Sequence, residues 1–165
     1  MRNLRTVFLL FLIVLLIPFA ACGKSEDLFA RFRGAYRADI AGELHGVSFG
    51  AVLEADAVSA DGSRALTLTF YAPESLFGTV LRQDSVGELS ITAGEVSATH
   101  VHPEGFLPLL HLLPTEGAVK EIALDEAGHS VVTGEGFTLV LLEDGTPIAA
   151  ANADASATIV LFEAR

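Results

Sequence analysis

Two histidines come closest to a chemical site in this sequence. His100 and His102 are separated by one residue, and alternate residues of a strand point to the same side of a sheet. Two imidazoles placed in that way could bind one metal ion, and Glu104 follows two positions later. There is no evident third ligand, and Pro103 indicates that the strand ends here. The sequence therefore favours two solvated histidines at a strand end, leaves a metal site as a weak alternative, and predicts no cofactor.

Other residues with catalytic side chains lie in contexts that explain them structurally. His111 falls within a leucine-rich segment, where a hydrogen-bonded or rim position is the ordinary interpretation. The Asp-Gly pairs at 61–62 and 144–145 are turn formers. No Walker or dinucleotide-binding glycine pattern and no calcium loop is present. The sequence predicts that the protein is not an enzyme.

Cys22 is the single cysteine of the chain, so it has no internal disulfide partner. Arg2 and Arg5 precede an apolar run, Val7–Phe19, which is followed by two alanines. A basic start, a short apolar run and small residues at a cleavage site are typical of a secretory signal peptide. The run is shorter than the roughly 18–20 residues that span a membrane, and Pro18 interrupts it.

The four residues Phe19-Ala20-Ala21-Cys22 resemble the lipobox of bacterial lipoproteins. The resemblance implies cleavage before Cys22, a diacylglyceryl group on its thiol, and anchoring to a membrane on the extracytoplasmic side. It implies a signal peptide at 1–21 and a lipidated N-terminus and tether at 22–30. The rest of the chain, 31–165, is predicted from its strand pattern to be a single antiparallel β domain. The alternatives are a soluble secreted product and an uncleaved membrane anchor.

The charge of the chain limits the partners of that domain. The chain carries 10 Lys and Arg against 21 Asp and Glu, and residues 1–21 hold two of the basic residues and none of the acidic ones. The remaining 144 residues therefore have a formal charge of −13. Nucleic acids are poor partners for such a domain, because binding them requires clustered Lys and Arg.

Most of the domain shows the two-residue alternation of half-buried strands. In 35–44, for example, Tyr36, Ala38 and Ile40 alternate with charged residues. Turn signals separate the segments, and Asp61-Gly62 is typical of a hairpin. The pattern predicts a mainly β (α+β) protein with about ten antiparallel strands, of which the first three form a meander.

The segment Phe106–Leu113 has a different texture. It is rich in leucine, lacks β-branched residues, and has Pro108 at a position that suits a first helical turn. It predicts a short apolar helix closed by Pro114. So many large apolar side chains cannot share one face of so short a helix, so the helix is either enclosed by the fold or packed into a groove.

The order of these features resembles the lipoprotein-carrier family of LolA and related bacterial lipoproteins. The resemblance is carried by Tyr71-Ala72-Pro73-Glu74-Ser75-Leu76 after an amphipathic strand, the leucine-rich helix, and the later pair of strands around Glu143-Asp144-Gly145-Thr146-Pro147-Ile148. It implies a strongly curved antiparallel sheet, or incomplete barrel, with the short apolar helix covering its concave face.

Two functions follow as expectations. In the first, the membrane-anchored protein binds a lipid, an acyl chain or a lipoprotein in an apolar cavity. The candidate ligand-binding residues are Leu66, Leu68, Phe70, Leu89, Ile91, Phe106, Leu109, Leu110, Leu113 and Phe137. In the second, the helix fills the core and the domain is a surface interaction module that binds an envelope protein. The sequence pattern is the same for both.

Overall fold

A computed structural model describes residues 28–44, 46–102 and 104–165. Their strands form a single open antiparallel sheet. The predicted signal peptide, the lipobox and Cys22 lie outside these residues. The strands are β1 Tyr36–Leu44, β2 Val47–Ala55, β3 Leu66–Ala72, β4 Val80–Gln83, β5 Leu89–Ala93, β6 Val96–Thr99, β7 Val119–Leu124, β8 Ser130–Gly134, β9 Phe137–Leu141, β10 Pro147–Asn152 and β11 Ala155–Ala164. Two short helices, α1 Ala30–Arg33 and α2 Leu107–Leu110, and a 3-10 helix, Glu74–Leu76, complete the described elements. Within the described ranges, no helix is long and apolar enough to cross a bilayer.

The sheet has two free edges and a central pair made from the first and last strands. Its strand order is β6-β5-β4-β3-β2-β1-β11-β10-β9-β8-β7. The pairing of β1 with β11 places Tyr36 opposite Ala164 and Leu44 opposite Ala155. Strands β6 and β7 are the edges and do not pair with each other, so the sheet does not close. The predicted mainly β architecture is confirmed, with eleven strands where about ten were expected.

One face of the sheet, here called the inner face, carries the core. It is formed by the alternate apolar residues of each strand, as in β1, where Tyr36, Ala38 and Ile40 are fully buried. The intervening Arg37 and Asp39 lie on the outer face and form an ion pair with N–O distance 3.7 Å. The predicted two-residue alternation is therefore the feature that places the core on one side.

The leucine-rich segment packs on the inner face and contacts β3. Its helix is shorter than predicted, because α2 ends at Leu110 and the chain then turns. The segment is nevertheless enclosed by the fold, which is one of the two arrangements predicted for it. Its leucines Leu109, Leu110, Leu112 and Leu113 are at most 1% exposed. Leucines on both sides of the turn are buried, so the whole segment belongs to the core.

Two polar side chains hold this segment in place. Asn152 Nδ2, at the end of β10, donates a hydrogen bond of 2.7 Å to the Pro108 carbonyl. Arg64 donates to the carbonyls of Phe32 (2.8 Å) and Leu113 (3.4 Å). The Arg64 guanidinium also lies 5.6 Å from the centroid of the Tyr36 ring. Burial raises the pKa of the Tyr36 hydroxyl, and the charge of Arg64 opposes that rise.

Candidate functional site

The predicted ligand-binding residues are brought together, but most of them form closed core. Leu66, Leu68, Phe70, Leu109, Leu110 and Leu113 are at most 2% exposed and Phe137 is 8% exposed. Leu89, Ile91 and Phe106 are partly buried against the same cluster. The leucine-rich segment occupies the space over β3 that a large cavity would need. Of the predicted set, Phe70 and Phe106 also reach a smaller pocket.

That pocket lies at one end of the inner face and is almost entirely apolar. Its volume is about 350 Å³. The described residues that line it are Leu44, Val47, Phe49, Phe70, Pro73, Ser75, Leu76, Gly105 and Phe106. Ser75 is the one lining residue with a polar side chain. We call it the apolar pocket.

Aromatic rings form the wall of the apolar pocket. Phe70, near the end of β3, packs edge-on against Phe106 with ring centroids 5.4 Å apart. Phe49 of β2 packs against Phe70 at 6.4 Å in a similar geometry. Edge-to-face packing of this kind orients each ring, so the wall is fixed by contacts between three elements.

The turn after β3 supplies further lining residues of the apolar pocket. The amide of Gly78 donates to the Phe70 carbonyl (2.9 Å), and that of Thr79 donates to the Leu76 carbonyl (2.9 Å). These bonds close the loop and place Leu76 against the core. Leu44, Val47, Phe49 and Leu76 line the pocket but are not among the residues predicted from the sequence. The available signal for the first three was their place on the predicted inner faces of β1 and β2.

The histidine pair does not share a strand face. Strand β6 ends at Thr99, and His100 has φ of 54°, which turns the backbone out of the strand. His100 Nδ1 instead lies 3.5 Å from Glu88 Oε1 on the exposed surface. His100 and His102 therefore do not lie on a strand, and the shared strand face that the weak metal alternative required is not formed there. In the part of the chain that the structure describes, no three His, Cys, Asp or Glu side chains converge as metal ligands would.

One stretch of the sequence matches a catalytic motif but forms part of a strand. Gly46-Val47-Ser48-Phe49-Gly50 matches the Gly-x-Ser-x-Gly pattern of a nucleophile elbow. That elbow requires a sharp turn from a strand into a helix, whereas Val47–Ala55 is a continuous strand. Ser48 lies opposite Glu43 in the β1–β2 ladder, on the outer face. The segment is strand sequence and not a catalytic turn.

A second, polar pocket lies near the other end of the leucine-rich segment. It measures about 530 Å³ and its lining includes Arg64, Gln83, His111 and Glu116. Partial burial lowers the pKa of His111, and the charge of Arg64 lowers it further. Two donors of the Arg64 guanidinium are already bound to backbone carbonyls. Arg64 therefore has a structural role at the edge of this pocket.

Comparison with known proteins gives a fold but no family. No family model matches the sequence, and no curated protein is similar to it in sequence. An uncharacterized conserved protein from Thermus thermophilus is 13% identical, over 86% of this chain and 88% of that one, with a TM-score of 0.52. At that identity the similarity concerns the fold alone.

Two further structures match less closely. MucB is 13% identical over 86% of this chain, which spans 58% of MucB, with a TM-score of 0.49. The complex of MucA and MucB from Pseudomonas aeruginosa matches at 16% identity, over 82% of this chain and 54% of that one, with a TM-score of 0.45. This chain therefore spans a little over half the length of each of these two matched chains.

Proposed function

We propose that this protein is a lipid-anchored, extracytoplasmic protein of the cell envelope that binds one apolar group of a ligand in the apolar pocket. The proposed anchor is a lipid on Cys22, which the predicted signal peptide and the resemblance of Phe19-Ala20-Ala21-Cys22 to a lipobox support. Catalysis is not part of the proposal, because the polar residues of the site are too few to hold and activate a reacting group.

The observation that carries the proposal is the lining of the apolar pocket. Among the described residues, three phenylalanines, two leucines and a valine line it, and Ser75 supplies the one polar side chain. Ligand pockets are mostly apolar with few polar groups, and about 350 Å³ is near the lower end of their usual range of roughly 300–1,000 Å³. A pocket of this size suits a single acyl chain or one or two large apolar side chains.

Gly105 offers a direct test. It lines the pocket, and a Cβ built on it has no heavy atom within 4 Å, so the position has room for a side chain to begin there. We expect purified protein to raise the fluorescence of the neutral apolar dye N-phenyl-1-naphthylamine, and Gly105→Trp to weaken that binding at least tenfold. The control is Ala123→Trp on exposed β7, since the chain has no tryptophan and both variants add one.

Two results would contradict the proposal. One is a wild-type protein that does not bind the dye. The other is a Gly105→Trp variant that binds as well as the Ala123→Trp control. A separate measurement concerns the anchor: mass spectrometry of the membrane fraction should find a diacylglyceryl group on Cys22, and Cys22→Ser should release the protein from membranes.

A second candidate function is an interaction module that pairs through a sheet edge. It is favoured by β7, a free edge strand on which Ile122 and Leu124 are 53% and 72% exposed. Edge strands with exposed apolar residues can add a strand from a partner. Cross-linking in membranes should then recover one stoichiometric partner with wild-type protein but not with Ile122→Lys, whereas Gly105→Trp should keep it. If wild-type protein and Ile122→Lys recover the partner equally, β7 is not the edge that binds it.

A further inference from the structure

Two apolar residues of β7 extend the inner face beyond the part that the fold covers. Ile122 lies opposite Val132 in the β7–β8 ladder, and Val132 is fully buried on the inner face. Directly opposite residues of a ladder point to the same side of the sheet, and Leu124 follows Ile122 by two positions. Both residues therefore belong to the inner face, yet they are 53% and 72% exposed. We call this pair the β7 row.

The start of β7 lies beside the segment through which the proposed anchor enters the domain. A groove of about 590 Å³ is lined by Phe29 together with Val119, the first residue of β7. The ring of Phe137 joins the two sides of this groove. Phe29 packs edge-on against that ring with centroids 5.6 Å apart, and a Cβ built on Gly117 would lie 2.8 Å from it. The N-terminal segment and the chain that leads into β7 therefore contact the same side chain.

The covalent length of the tether keeps this region close to the bilayer. Cys22 and Leu28 are six positions apart, so at about 3.3–3.6 Å per residue the two lie within about 20–22 Å of each other. Leu28 packs against the core and Phe29 is 6% exposed, so the fold holds the chain from this point onward. The six residues of β7 extend over about 17 Å, which is no longer than the tether. Rotation of the domain about its tether can thus bring the β7 row onto the bilayer.

We propose that the β7 row inserts into the interface of the bilayer that holds the lipid on Cys22, so that this edge of the sheet lies on the membrane. The inference rests on the proposed function, in which Cys22 is lipidated, and it is an alternative to the pairing of β7 with a partner strand. Exposed apolar patches mark contacts with membranes or proteins, and the nearby anchor favours the membrane. Two side chains alone bind a bilayer weakly, but a short tether makes their contact intramolecular and so more persistent.

The charges around the β7 row are of both signs, so the contact does not depend on anionic lipid. Arg33 and Glu116 both line the groove, and the turn after the row holds Asp125 and Glu126. The driving force is then the removal of apolar surface from water, which requires no net charge. We expect the contact to form on vesicles of zwitterionic phosphatidylcholine.

The test anchors the protein through Cys22 and measures which side chain meets lipid. Protein that begins at Cys22, the form that cleavage would give, is coupled through its single thiol to a maleimide phospholipid in phosphatidylcholine vesicles. The chain has no tryptophan, so Leu124→Trp places one fluorescent reporter in the β7 row. Phosphatidylcholine brominated on its acyl chains should quench that fluorescence at least about twofold. The matched control is Phe77→Trp, because Phe77 is also 72% exposed but lies between β3 and β4, and its fluorescence should be quenched less than about 1.2-fold.

A second change separates insertion of the β7 row from mere closeness to the vesicle. Ile122→Glu added to Leu124→Trp should reduce the quenching to the level of the control. Val96→Glu, at a residue that is 73% exposed on the other edge strand, should leave the quenching unchanged.

Three results would overturn the inference. The first is equal quenching of Leu124→Trp and Phe77→Trp, and the second is quenching that Ile122→Glu does not reduce. The third is an uncoupled protein that sediments as a dimer and becomes a monomer with Ile122→Glu, since a second copy would then cover the β7 row. The maleimide lipid supplies the anchor chemically, so these results do not depend on the native lipid. Failure of the proposed anchor is detected separately, by mass spectrometry of Cys22.

Discussion

Substitution of Leu110 by alanine tests whether the leucine-rich segment fills the inner face. Leu110 is fully buried in α2, among Leu109, Leu112 and Leu113, which are buried as well. Replacing a buried leucine by alanine removes its transfer free energy and leaves a cavity, at a cost of about 2.7–5.0 kcal/mol in a well-packed core. The cost is lower where the surroundings can collapse into the cavity.

Collapse is restricted at this site. The backbone on either side of Leu110 is held by the hydrogen bonds from Asn152 to the Pro108 carbonyl and from Arg64 to the Leu113 carbonyl. We therefore expect the free energy of unfolding to fall by about 3–4 kcal/mol. With a urea dependence of about 2 kcal/mol/M, the midpoint of unfolding should fall by about 1.5–2 M.

The assay is urea unfolding followed by far-UV circular dichroism. The control is Leu124→Ala, the same change at a leucine that is 72% exposed on β7, and its effect should stay within about 0.5 kcal/mol. The reasoning is refuted if the two variants are destabilised equally. In that case the segment would not be packed, and the inner face would be open to a ligand.

Two further predictions concern a close contact and a titrating turn. Gly134→Ala should lower the free energy of unfolding by about 1–3 kcal/mol, because the added Cβ would collide with the Phe137 ring. The control, Gly105→Ala, should be near neutral in the same urea titration, since a Cβ at that position meets no neighbouring atom. Asp125 accepts hydrogen bonds from the amides of His129 (2.8 Å) and Ala127 (2.9 Å), and the bonds from His129 are the main reason that its pKa is lowered. Its folded-state pKa lies below the unfolded value of about 3.9, so its contribution is complete above that value and is lost as the pH falls through the folded pKa. Asp125→Asn should thus destabilise at pH 7 but converge with wild type near pH 2; an equal difference at both values would contradict this.

The strands could be predicted because their signal is local. In β1 the alternation of Tyr36, Ala38 and Ile40 with polar neighbours is enough to define a half-buried strand and its buried face. The end of β6 was harder to predict, since the positive φ of His100 depends on the turn that follows the strand. The helix was predicted too long because leucines remain buried beyond Leu110, after the chain has turned.

The site could be predicted only in part because it is assembled from the ends of distant elements. Leu44, Phe70, Leu76 and Phe106 meet in the apolar pocket although the sequence between them spans several strands. The composition of the leucine-rich segment also does not show whether the segment fills the space over the inner face or covers a cavity there. That difference depends on how deeply leucines such as Leu110 sit, which is a property of the folded chain.

The pairing of β1 with β11 has a consequence for how the protein folds. Among the strands that the structure describes, this pair is the single link between the half formed by β1–β6 and the half formed by β7–β11. The amide of Arg165 adds a bond to the Ala35 carbonyl (2.8 Å). Contacts between residues so far apart in sequence form late and slow the folding rate. A chain that emerges N-terminus first can build each half from hairpins, but it cannot join them until β11, Ala155–Ala164, is free. Loss of β11 would therefore leave two separate half-sheets.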